Sequence, residues 1–79
     1  MTGPNTLGDH VREFTGPLSY KERFVLQGLA DGNQYGDIAE ALGSTRPSVK
    51  NMAWRASIKL GAENKTHAVA QALRRQLIQ

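Results

Sequence analysis

The sequence predicts an all-α domain of four short helices that follows a short N-terminal extension. Apolar residues recur at steps of three and four, which is the spacing of one face of a helix. Capping residues and glycines stand where such helices would begin and end, and no segment shows the two-residue alternation of a half-buried strand. We therefore divide the 79 residues into an extension over residues 1–17 and a helical domain over residues 18–79.

The composition excludes several kinds of protein. The chain contains no cysteine, which excludes a disulfide framework and a thiolate metal site. It has no apolar run long enough to span a membrane, and its N-terminus lacks the basic and apolar regions of a signal peptide. We therefore expect a cytoplasmic protein whose small core is formed by helix packing.

The charges are distributed unevenly along the chain. Residues 1–43 hold three cations and six acids, whereas residues 44–79 hold seven cations and one acid, and the formal net charge is +3. A basic half on a small domain indicates a surface that binds a polyanion, although an ordinary solvated surface would also account for it.

Two helices are predicted before the basic half, after a short possible helix over residues 6–14 of the extension. Ser19 and Glu22 have the spacing of a capping box, so the first helix should begin there and continue to about residue 30. The second should span residues 35–42, although Gly36 in its first turn costs up to about 1 kcal/mol relative to alanine. Glycines end both helices, in the left-handed conformation usual at a C-terminus.

The third helix, over residues 45–61, is the candidate recognition helix. Thr45 suits its N-cap, Pro47 loses no hydrogen bond in its first turn, and Gly61 ends it. So short a glycine-containing turn after the second helix is typical of a helix-turn-helix, in which the later helix enters the major groove of DNA. The apolar stripe of this helix consists of Val49, Met52, Ala53, Ala56 and Leu60.

The opposite side of the third helix carries the candidate DNA contacts. Asn51 can pair with adenine, and Lys50 can donate to guanine or to a phosphate. Trp54, with Ile58 one turn later, has three possible roles: a contact with DNA, packing under the extension, or a protein-binding patch. Four further cations are candidates for phosphate contacts or plain solvating charges: Arg46, Arg55, Lys59 and Lys65.

The fourth helix is predicted over residues 65–77, with Asn64 as its cap. Catalysis and metal binding have little support in the sequence. His10 and His67 lie far apart and neither has a ligand-spaced partner, and no phosphate loop or nucleophile motif is present. We expect no enzyme activity, no cofactor and no metal, and we expect His67 to be a surface residue.

The ordered series of motifs resembles the LuxR/GerE-type helix-turn-helix domain. Leu18-Ser-Tyr-Lys-Glu-Arg-Phe-Val-Leu26 is similar to the opening of that domain, and Ser48-Val-Lys50 stands where the family has Thr-Val-Lys. The likeness extends to Ile78. Its later landmarks are Leu29-Ala-Asp-Gly32, Asp37-Ile-Ala39, Leu42, Lys59-Leu-Gly61 and Ala68-Val69.

The resemblance implies a DNA-binding transcription regulator that dimerises through its fourth helix. It places Lys50, Asn51 and Trp54 at base-contacting positions. The backbone-contacting start of the recognition helix would hold Thr45, Arg46 and Ser48. Apart from the resemblance, Arg55 is a candidate DNA contact because it is a cation on the same side of the helix. The two-fold interface would use Ala70, Leu73 and Leu77.

Four positions depart from the family pattern. Met52 replaces a frequent histidine, Ser44 and Ala56 replace aliphatic residues, and Gln76 replaces a glycine. Met52 and Ala56 indicate a thinner or repacked core beneath the recognition helix. No receiver or ligand-binding domain precedes the motif, so we expect a stand-alone module.

A second resemblance supports an alternative function. Val49-Lys-Asn-Met-Ala-Trp-Arg-Ala56 is also similar to the recognition helix of a sigma-factor region-four domain. The alternative is a protein-interaction module that binds RNA polymerase or another regulator through the surface of Trp54 and Ile58.

Overall fold

The computed structural model describes residues 16–79, and these residues form four helices with no strand among them. The all-α prediction is confirmed. The possible helix over residues 6–14 lies outside the described residues. The helices are α1 (Tyr20–Ala30), α2 (Tyr35–Leu42), α3 (Arg46–Lys59) and α4 (Lys65–Arg74). No helix within residues 16–79 combines the length and the apolarity needed to cross a membrane.

Side chains close to each helix start satisfy its free backbone amides. The capping box of α1 is confirmed: the Ser19 hydroxyl accepts from the Glu22 amide at 3.1 Å, and the Glu22 carboxylate accepts from the Ser19 amide at 2.8 Å. Thr45 caps α3 as predicted. At the start of α2, where the sequence indicated no cap, the Gln34 amide donates to the Asp37 carboxylate at 3.1 Å.

The core consists of two clusters that share α1 and α3. One cluster lies between α1, α3 and α4 and contains Leu18, Leu26, Ala56, Leu60, Ala68, Ala72 and Ile78. The other lies between α1, α2 and α3 and contains Val25, Ile38, Ala39, Val49 and Ala53. Ala56 is fully buried against the small residues Ala68 and Ala72 of α4. The loss of an aliphatic side chain at Ala56 is therefore matched by small residues on α4 in the same cluster.

A partly buried ion pair connects the start of α1 to the end of α3. The Lys59 ammonium donates to the Glu22 carboxylate at 2.7 Å and to the Pro17 carbonyl at 3.2 Å. Burial raises the pKa of Glu22. The hydrogen bonds from Lys59 and Ser19 and the charge of Lys59 together lower this pKa by more than burial raises it, so it lies below the ordinary value. Lys59 is therefore not a plain solvating charge, because it is paired within the domain, and its predicted contact with phosphate stays a prediction.

The helix α4 ends three residues earlier than predicted, at Arg74. Gln76 adopts a left-handed φ of 58°, the Gln76 amide donates to the Leu73 carbonyl at 3.0 Å, and the Leu77 amide donates to the Ala72 carbonyl at 2.8 Å. These two bonds form the Schellman motif, which reverses the chain so that Ile78 enters the core. Gln76 thus occupies a conformation that favours glycine, at the position where the resembling family has one.

Candidate nucleic-acid interface

The helix pair α2–α3 has the geometry of a helix-turn-helix. Gly43 ends α2 with a φ of 64°, and the Ser44 amide donates back to the Ala39 carbonyl at 2.8 Å. Thr45 then begins α3, and its hydroxyl accepts from the Ser48 amide at 3.3 Å. The turn is fixed by hydrogen bonds on both sides, which sets the orientation of α3 relative to α2.

One face of α3 is buried and the other is exposed, as the apolar stripe predicts. Val49, Ala53 and Ala56 are buried, together with Ser57, whose hydroxyl donates to the Ala53 carbonyl. Met52 is half-buried beside them. The predicted site residues Thr45, Arg46, Lys50, Asn51, Trp54 and Arg55 are exposed, and Ser48 is half-buried.

The exposed cations at the start of α3 extend towards α2. A Cβ at Gly36 would lie 2.9 Å from both Nε and Nη2 of Arg46. The guanidinium of Arg46 therefore lies against the backbone of α2, in space that any other residue at position 36 would fill. Gly36 weakens its helix but gives Arg46 this position.

Tyr35 connects the cations of α3 to α4. The Lys65 ammonium lies 4.5 Å from the centre of the Tyr35 ring, and the Lys50 ammonium lies 5.8 Å from it. We call the surface depression around this ring, of about 370 Å³, the cationic groove. Among the described residues that line it, none is acidic. The lining residues are Leu29, Asn33, Gln34, Tyr35, Gly36, Arg46, Lys50 and Lys65.

Sequence reasoning missed Tyr35 and placed Lys65 only among the general cations. No sequence pattern singles out Tyr35, since an aromatic residue in the first turn of a helix does not by itself indicate a functional role. Lys65 could have been noticed as the first residue after the Asn64 cap. Only the tertiary fold brings Lys65, at the start of α4, to the ring of Tyr35 at the start of α2.

Trp54 lies outside the cationic groove, further along α3. Its side chain is 51% exposed, and with the half-buried Ile58 it lines a second groove that continues onto the α3–α4 turn. Glu63 and Asn64 form the turn side of this groove. The predicted packing of Trp54 under the extension involves residues outside the described part of the chain and stays a prediction.

His67 has a structural role that the sequence did not reveal. Its backbone amide donates to the Asn64 side chain at 2.8 Å, and its ring Nδ1 accepts from the Glu63 amide at 3.1 Å. The ring is half-buried and Nε2 lies 3.1 Å from the Gln71 side chain. His67 therefore stabilises the start of α4 rather than being only a surface residue.

The three predicted interface residues of the fourth helix differ in exposure. Leu73 is 42% exposed, Ala70 is half-buried, and Leu77 packs against the core cluster between α1, α3 and α4. Leu77 also lies beyond the end of α4. Leu73 is thus the most accessible apolar group of the three, and the dimer stays a prediction.

Comparisons with known proteins agree with one another in matching bacterial regulatory proteins. The model of the bacterial regulatory proteins of the luxR family matches residues 16–72. The transcriptional activator protein BjaR1 of Bradyrhizobium diazoefficiens is 35% identical over 77 residues, covering 89% of this chain and 32% of that protein. The uncharacterized transcriptional regulatory protein YxjL of Bacillus subtilis is 36% identical over 70 residues, with the same two coverages.

The match to these relatives is confined to part of their length. The chain spans about a third of each of the two relatives. The expectation of a stand-alone module therefore stays a prediction. No solved structure matches the chain significantly.

Proposed function

Because the chain belongs to the luxR family of bacterial regulatory proteins, we propose that it regulates transcription by binding double-stranded DNA in a sequence-specific manner. The family is one of regulators, which confirms the prediction that the chain is not an enzyme. In this proposal α3 enters the major groove, and the protein acts in the cytoplasm.

The exposed polar face of α3 is the observation that carries the proposal. The helix is about 20 Å long, and its buried face is fixed by contacts with α1 and α2. The major groove of B-DNA is about 12 Å wide and admits one α-helix. The side chains that would enter it are therefore Asn51 and Trp54, which lie opposite Val49 and Ala53, and Lys50 would lie at the edge of the groove.

We assign different roles to the contacts. Asn51 is exposed and has the amide needed to pair with adenine, a contact that discriminates by about 1–3 kcal/mol. Thr45, Arg46, Ser48 and Arg55 would contact the backbone, which positions the helix without reading sequence. Lys50 extends towards Tyr35 of α2, which favours a phosphate contact over a base contact.

We further propose that DNA is bound by a homodimer formed through α4. Leu73 presents its apolar side chain to solvent, and a two-fold partner would cover it. A two-fold dimer of helix-turn-helix domains binds half-sites about 34–36 Å apart.

Selection of bound sequences from a random pool of duplex DNA tests the proposal. The expected result is an enriched palindrome whose half-sites lie about one helical turn apart. Asn51→Ala should relax the preference at one position of each half-site, and Lys21→Ala, a change on α1, should leave the preference intact. Failure to enrich any sequence would contradict sequence-specific binding.

A second candidate function is supported by the groove beside Trp54. An exposed tryptophan next to Ile58 is typical of protein-binding surfaces. The candidate is a module that docks on RNA polymerase or another regulator. Binding of purified polymerase without DNA, lost in Trp54→Ala and kept in Lys50→Ala, would favour it. Equal binding by both variants, or none by the wild type, would contradict it.

A further inference from the structure

The cationic groove holds positive charges that no acidic residue of its described lining balances. Lys50 and Lys65 come from different helices, yet both ammonium groups lie over the ring of Tyr35. An aromatic face attracts cations but does not neutralise their charge. Since no described residue lining the groove is acidic, the two lysines repel each other and an anion between them would be stabilised.

Arg46 adds a third positive charge to the same groove. Its guanidinium lies against Gly36, where no side chain separates it from the backbone of α2. A guanidinium presents a planar fork of donors that suits the oxygens of a phosphate. Asp37, next to Gly36 in the sequence, accepts a hydrogen bond from the Gln34 amide at the start of α2. Glu63 lines the neighbouring groove beside Trp54 together with Tyr35 and Lys65.

We propose that the cationic groove binds a backbone phosphate of double-stranded DNA, and that Tyr35 positions Lys50 and Lys65 for it. This inference rests on the proposed function. It adds Lys65 of α4 to the DNA contacts and makes Tyr35 a positioning residue. A phosphodiester is favoured over a free anion because the groove is open and lies beside the exposed face of α3, where the strand flanking the major groove would pass.

The salt dependence of DNA binding tests the assignment of Lys65. The logarithm of the binding constant falls with the logarithm of salt concentration by about 0.9 for each phosphate neutralised. Lys65→Gln should therefore weaken binding to the duplex recovered from the random pool and reduce the slope by up to about 0.9, since Lys50 and Arg46 remain beside the same phosphate.

Lys21→Gln is the matched control, since it removes one exposed charge from the chain. Lys21 is an exposed residue of α1, and it lines neither the cationic groove nor the groove beside Trp54. The control should keep the wild-type slope.

Two substitutions of Tyr35 test its positioning role. Tyr35→Phe keeps the ring and should keep the affinity, whereas Tyr35→Leu keeps the apolar packing and should weaken binding by about two- to fivefold. In the DNA-free protein, the side-chain proton signals of Lys65 should lose their ring-current shift in Tyr35→Leu alone. Equal melting temperatures of the two variants would separate this effect from a loss of folding. Equal affinities, or an unchanged Lys65 signal, would overturn the positioning role.

The remaining outcomes distinguish a failure of the groove assignment from a failure of the proposed function. If the wild type binds DNA and Lys65→Gln keeps both its affinity and its slope, the groove assignment is wrong and the proposed function stands. If the wild type binds no duplex, both are wrong. Saturable binding of inorganic phosphate at constant ionic strength, with an unchanged slope for DNA in Lys65→Gln, would assign the groove to a free anion instead.

Discussion

Gly36→Ala should separate folding stability from DNA affinity, because the two properties depend on different atoms at this position. Replacing glycine by alanine within a helix stabilises it by about 0.5–1 kcal/mol. Position 36 is in the first turn of α2, so we expect the lower value of about 0.5 kcal/mol. For a domain of this size that raises the melting temperature by about 2–4 °C.

The new Cβ would occupy the space that the Arg46 guanidinium fills, since it would lie 2.9 Å from two of its nitrogens. The guanidinium is the far end of a flexible side chain, so its displacement costs the fold little. A partly exposed charge contact contributes about 0.2–1 kcal/mol. Loss of the Arg46 position should therefore weaken DNA binding by up to about fivefold.

Gly28→Ala is the structural counterpart of this variant. A Cβ at Gly28 would lie 2.8 Å from two carbons of Ile38, whose side chain is buried. Overpacking of a core costs about 1–3 kcal/mol, which exceeds the gain in helix propensity. Urea or thermal unfolding should therefore show Gly28→Ala destabilised and Gly36→Ala slightly stabilised. Destabilisation of Gly36→Ala, or unchanged DNA affinity of this variant in a titration of the same duplex, would contradict the role of Arg46.

Three further predictions concern the ion pair, the end of α4 and the dimer. The folded pKa of Glu22 is lowered, so its contribution to stability is fully present above the ordinary value of 4.5 and is lost as the pH falls through the lower folded pKa. Urea unfolding between pH 7 and pH 3 should show this loss in the wild type. Glu22→Gln should be about 1–3 kcal/mol less stable than the wild type at pH 7, and its stability should depend less on pH. If the stability of both proteins fell equally steeply with pH, the role of Glu22 would be contradicted. Gln76→Gly removes a left-handed strain of about 1–2 kcal/mol at some cost in chain entropy, so the melting temperature should rise by a few degrees, and a fall would contradict it. Leu73→Asp should shift sedimentation on palindromic DNA from two bound copies to one while leaving the melting temperature unchanged, and two bound copies would exclude α4 as the interface.

The residue pattern was sufficient to predict the fold class and to identify the exposed face of α3. Ser19, Thr45 and Asn64 were recognised as caps because a cap bonds to an amide two or three residues away, so its signal is contained in the local sequence. Glycine stops were recognised for the same reason. The buried stripe of α3 followed from helical periodicity, and with it the opposite face that carries Asn51.

Tertiary structure decided which cations are paired within the domain and which remain at the surface. Lys59 and Lys65 are equivalent in the sequence pattern, yet Lys59 pairs with Glu22 inside the fold and Lys65 lies over Tyr35 at the surface. The partners come from different helices, so no local rule relates them. The early end of α4 at Arg74 had the same kind of cause, because burial of Ile78 in the core accompanies the left-handed turn at Gln76. The hydrogen bonds and the periodicity within one helix depend on residues that are close in the sequence, whereas the pairing of a charge depends on which helices pack together.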